Sequence, residues 1–151
     1  MSAPPWMFEG FVSAAGNRLV QEWYWDDREC GEDGRNAIKT RINYLMYLPK
    51  TLWKKPEFEW FGDIGEVRKP IPTGALRVYG FFPDELHFVL LLGNVKKKNK
   101  DQDAIKTARQ RMKRLKNGEG YTHEFVFAER TSDSTTEGTP CESGDVGGES
   151  F

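Results

Sequence analysis

The chain has 151 residues and a mass of 17.4 kDa, enough for one ordinary domain and too little for a second core. Its 22 Lys and Arg against 23 Asp and Glu leave a net charge of −1, and ten Phe, five Trp and five Tyr supply a core despite 30% charged residues. The apolar run within Leu86–Val95 is broken by His87, Gly93 and Asn94 and is short of the ~20 residues of a bilayer span; Met1–Pro5 lacks the pattern of a secretory signal; and Cys30 and Cys141 form neither a zinc motif nor a disulfide framework. The expectation is a protein of the reducing cytoplasm with no membrane partner, metal or cofactor.

Trp6–Ala14 alternates loosely and suits a first strand. Asn17 is placed to cap a helix reaching Trp25, with Leu19, Val20, Trp23 and Tyr24 on one side. After a polar connection at Asp26–Asp33, Ile38, Ile42, Leu45 and Met46 recur at helical steps within Gly34–Leu48, and Pro49 stops the run. Residues 50–63 read as an aromatic loop whose Trp53, Phe58, Trp60 and Phe61 are expected to pack rather than stack on bases.

Three strand patterns follow: Ile64–Ile71, Ala75–Phe82 and Glu85–Val95. The short connectors Pro72-Thr73-Gly74 and Pro83-Asp84 predict an antiparallel meander. Asp101 or Asp103 can cap a helix to Lys116, with Ala104, Ile105, Ala108, Met112 and Leu115 as its apolar stripe and Asn117-Gly118 as its stop. Tyr121–Ala128 suits one more short strand. The order β-α-α-β-β-β-α predicts an α+β fold, a small antiparallel-rich sheet packed against helices.

The charge is unevenly spread. Residues 129–151 carry six acids and Arg130, and Ser, Thr, Gly and Pro dominate them, so the segment reads as a disordered tail behind a folded domain of residues 1–128. Residues 94–116 hold ten Lys and Arg against Asp101 and Asp103. A basic stretch on a basic domain points to a polyanionic partner, and the tail reads either as a solvated extension or as a lid competing for that stretch.

Strand alternation sorts the chemistry-bearing residues. Glu66 and Arg68 share one face of their strand, and Arg77 and Tyr79 share one face of the next. If these strands are neighbours, the four residues form one polar patch. Lys96 and Lys98 lie on one face of the third strand and Lys97 on the other. Arginines grip a phosphate bidentately and lysines supply mobile charge and proton donors. Such a set, without a metal-ligand cluster, suits attack of an RNA 2′-hydroxyl on its neighbouring phosphate. Each residue also has a plainer reading. Glu66 and the arginines suit a cross-strand ion pair. The Lys96–Lys100 run suits a solvated loop, and Lys106, Arg109, Arg111, Lys113 and Arg114 suit a polar helix face. His87, in an apolar strand, reads as structural, and His123 as either a general acid–base or an inert histidine.

The runs Ile64-Gly65-Glu66-Val67-Arg68, Ala75–Phe82 and Phe88–Lys98, followed by a charged helix from near Ala104, together resemble the RelE/ParE toxin superfamily, most closely its phage-derived, HigB-like branch. The resemblance covers about residues 8–118 and is strongest over 64–112. It implies the toxin of a type II toxin–antitoxin pair, a ribosome-dependent mRNA interferase without metal. Its partners would be mRNA on the ribosome and a cognate antitoxin of helix-turn-helix type. It assigns catalytic roles to Arg68, Arg77, Lys96 and Lys97, with Glu66 organising Arg68. Tyr79 falls at an aromatic position of the family, and Tyr121 and His123 fall where relatives carry catalytic groups. Lys98, Lys100, Arg109 and Lys113 are the expected RNA contacts. The chain departs from the family pattern at Asn99–Asp103, at Leu76, in the 50–63 loop and in the acidic tail. The ParE-like branch of the same fold implies a different activity, binding of gyrase without cleavage, and an inactive binding protein is the third alternative.

Overall fold

A computed structural model describes residues 6–72, 74–96 and 102–128. The acidic tail and Lys97, Lys98, Lys100 and Asp101 lie outside the described residues.

Strand β1 (Met7–Ser13) leads into helix α1 (Leu19–Trp25) and helix α2 (Gly31–Leu45). The cap expected at Asn17 is not made: Arg18 takes that position without a side-chain cap bond. The Asn17 N–H instead donates to Ser13 Oγ at 3.1 Å, while the Ser13 N–H donates to the Asn17 carbonyl, closing the turn. α2 begins three residues before the expected Gly34 and ends at Leu45; its inward face is Gly34, Ala37, Ile38, Ile42 and Leu45.

The segment expected to be a loop contains a strand, β2 (Phe58–Phe61), hydrogen-bonded to β3 (Ile64–Ile71). Gly62 and Asp63 form the two-residue turn between them, with Gly62 at φ +68°, the left-handed region such hairpins need. β4 (Gly74–Phe81) and β5 (His87–Lys96) complete the expected meander. Helix α3 (Gln102–Lys116) and strand β6 (Gly120–Glu124) follow, β6 ending well before the expected Ala128. The α+β class holds, while the β-α-α-β-β-β-α order must be extended by β2 and β6.

The sheet is six-stranded and mixed, in the order β2-β3-β4-β5-β1-β6. β1 runs parallel to β5, with Phe8 beside Phe88, and antiparallel to β6, with Gly10 beside His123. α1 and α2 cover the face that carries Leu76, Val78 and Gly93: Trp23 lies against Gly93, and Gly34 faces Leu76. On this side Trp53 is buried among Phe8, Phe58, Phe82 and Phe88, so Trp53 and Phe58 pack as expected, while Trp60 keeps 41% exposure. α3 covers the other face, where Arg111 lies over Phe11 and Lys116 over Phe81. Ala104, Ile105, Ala108 and Met112 form its buried stripe. Among the described residues no helix is long and apolar enough to cross a membrane.

Candidate functional site: an arginine–carboxylate cluster on the sheet

The β3–β4 register sets the site. Glu66 pairs with Tyr79 and Arg68 with Arg77, and directly paired residues in an antiparallel ladder point to the same face. All four therefore stand on the α3 side, as alternation predicts. β2 adds a fifth member, because Glu59 pairs with Glu66.

Glu66 is the hub. Its Oε1 accepts from Arg68 Nε at 2.9 Å and from Arg68 Nη2 at 2.6 Å, and its Oε2 lies 3.8 Å from Arg77 Nη1. Arg68 Nη2 also donates to Glu59 Oε1 at 2.7 Å, and Glu59 Oε2 lies 3.5 Å from Lys55 Nζ. Glu66 and Arg77 are buried, at 1% and 4% exposure, and Tyr79 is fully enclosed. The Arg68 side chain keeps 28% exposure, so of the two arginines it is the one that meets solvent. Arg77 Nε is buried without a hydrogen-bond partner among the described residues.

Backbone contacts fix Arg68 as well. Its N–H donates to the Glu57 carbonyl, and its carbonyl accepts from Arg41 Nε at 3.0 Å, which ties β3 to α2. Partial burial works against the Arg68 charge, but hydrogen bonds and charge from Glu66 and Glu59 outweigh it and hold the guanidinium above its ordinary pKa. Burial, followed by the charge of Glu66, raises the Tyr79 hydroxyl, so it stays protonated at neutral pH. Arg77 pairs in register with Asn94, and Ala75 with Lys96, whose backbone extends β5 past the cluster.

The remaining expected residues lie apart. His123 is on β6, four strand positions from β3, or about 19 Å at ~4.8 Å per strand. Its register with Gly10 puts it on the opposite face of the sheet. Its Nε2 is buried without a hydrogen-bond partner among the described residues, and burial, with the charge of Arg18, lowers its pKa. His123 therefore does not belong to this cluster. Arg109 is held by the β2–β3 turn, donating from Nη2 to the Phe61 carbonyl at 2.9 Å and from Nε to Asp63 at 3.2 Å. Lys113 is exposed on α3 with Lys106, Arg114 and Lys116, a solvent-facing basic surface. His87, expected inside an apolar strand, instead opens β5 half-buried: Nδ1 lies 2.9 Å from both Asp84 oxygens, and Asp84 also accepts from the Leu86 and His87 N–H groups.

Glu59, Lys55 and Arg41 are the participants that sequence reasoning missed. The signal for Glu59 was present, since Phe58-Glu59-Trp60-Phe61 precedes the turn pair Gly62-Asp63. Chemically, the cluster is a pair of oriented guanidiniums neutralised by two carboxylates, able to exchange a carboxylate for another oxyanion at its exposed side. Comparison with protein-family models, with curated proteins and with solved structures finds no match.

Proposed function

We propose that the chain is a metal-independent endoribonuclease, the toxin of a type II toxin–antitoxin pair that cuts mRNA on the ribosome and is held inactive by a cognate antitoxin of helix-turn-helix type. The observation that carries this reading is the pairing of Arg68 with Arg77 across β3 and β4, anchored by Glu66. The sequence resemblance supports it, as does the exposed basic surface of α3, the helix that lies across β3 and β4. In the reaction the 2′-oxygen bonds to phosphorus and the bond from phosphorus to the 5′-oxygen breaks, leaving a 2′,3′-cyclic phosphate and a 5′-hydroxyl. One proton leaves the 2′-hydroxyl and one is delivered to the 5′-oxygen. Arg68 and Arg77 would balance charge on the phosphorane-like transition state. Lys96 and Lys97 would add charge and carry protons.

One observation favours a second reading, a ParE-like gyrase inhibitor or a non-cleaving binding protein. Glu66, Arg77 and Tyr79 are enclosed, and both guanidiniums already have a carboxylate partner. Induced expression with mapping of mRNA 5′ ends separates the readings. Codon-phased cuts that vanish in a folded Arg68→Ala variant are the expected result. DNA damage without such cuts gives the gyrase reading, and neither effect leaves a binding protein.

A further inference from the structure

We propose that Glu59 is a gate on Arg68: its carboxylate occupies the place an incoming phosphate takes on the guanidinium, and it moves onto Lys55 when the phosphate arrives. The inference rests on the reading that Arg68 binds substrate phosphate.

The two carboxylates on Arg68 have different standing. Glu66 holds both Nε and Nη2 from a side chain only 1% exposed, so it orients the guanidinium from inside the sheet. Glu59 touches Nη2 alone, from a side chain 22% exposed. A carboxylate and a phosphate present similar oxygens to a guanidinium, so they compete for the same donors. Glu59 is also the more movable partner. It sits on β2, an edge strand of four residues paired on one side only, whereas Glu66 lies between two strands.

The displaced carboxylate keeps a partner. Lys55 Nζ already lies 3.5 Å from its other oxygen, Oε2, and the Lys55 side chain is 70% exposed and able to follow it. Counting Lys55, the cluster of Glu59, Glu66, Arg68, Arg77 and Lys55 carries one positive charge, which draws a polyanion, and departure of Glu59 frees the Nη2 N–H that the phosphate would take. Burial works against ionisation of Glu59, but the hydrogen bond from Arg68 and the charge of Lys55 outweigh it, so the gate is a carboxylate at neutral pH.

The sign of one substitution tests this. In the full-length chain, Glu59→Gln is expected to bind a fluorescein-labelled single-stranded RNA about two- to fivefold more tightly, the worth of one partly exposed ion pair. The gain should be absent in an Arg68→Ala background. Unchanged or weaker binding by Glu59→Gln, with Arg68→Ala still costing affinity, would overturn the gate and make Glu59 an organiser. Binding unaffected by Arg68→Ala would overturn the underlying reading together with the gate.

Discussion

Arg68 and Arg77 stand directly opposite each other on adjacent antiparallel strands, and a single buried carboxylate, Glu66, lies within 4 Å of both. Like charges facing across a ladder destabilise it, so Glu66 supports the fold as well as the site.

Glu66→Gln should therefore cost about 3–5 kcal/mol, the range for removing one partner from a buried ion pair. Glu59→Gln, on the exposed side of the same cluster, should cost less than about 1 kcal/mol. Urea denaturation of the two variants measures the contrast. Equal losses would show that Glu66 is not the neutralising hub.

His123 predicts a pH dependence of stability. Burial, then Arg18, lowers its pKa below the ordinary 6.5. The unfolded chain thus binds more protons than the folded one between the two values, and stability rises with pH there. As pH falls through about 6.5 toward the folded value, stability is lost. Urea midpoints of the parent at pH 7.5 and 5.5 should differ more than those of His123→Gln. An unchanged slope in the variant would assign the effect to other groups.

Gly93 is a packing requirement. A Cβ there would sit 2.3 Å from Trp23 Cζ3 and 2.4 Å from Cη2, closer than ring and methyl can approach. Gly93→Ala should destabilise by about 1–3 kcal/mol and shift Trp emission to the red as the Trp23 ring is pushed outward. A variant with parental stability and emission would mean that α1 has slack against the sheet.

The parts of this fold that local chemistry determines were readable in advance. Gly62, Pro72, Gly74 and Pro83 bracket β3 and β4, and the period of two puts Glu66 with Arg68 and Arg77 with Tyr79 on one face of each strand, which the pairing then joins. β2 escaped notice because Phe58–Phe61 is only four residues long and reads as aromatic clutter after Pro56. The enclosure of Arg77 and Tyr79 was not legible either, since it depends on α3 lying across β3, β4 and β5. Nor does any local signal place Met7–Ser13 beside His87–Lys96, some 80 residues later. The separation of His123 from the arginines follows from that long-range pairing.

The position of β1 has a consequence for how the chain assembles during synthesis. It lies between β5 and β6, both encoded after residue 86, so the earliest strand to leave the ribosome finds neither neighbour until most of the domain has been made. Until then Phe8 and Phe11 have no permanent burial site in the sheet. Closing such a large loop late gives a high contact order and slow final docking. A nascent chain halted before β5 would expose the aromatic strand to chaperones, and Arg77 would gain its β5 neighbour only once residue 94 has been made.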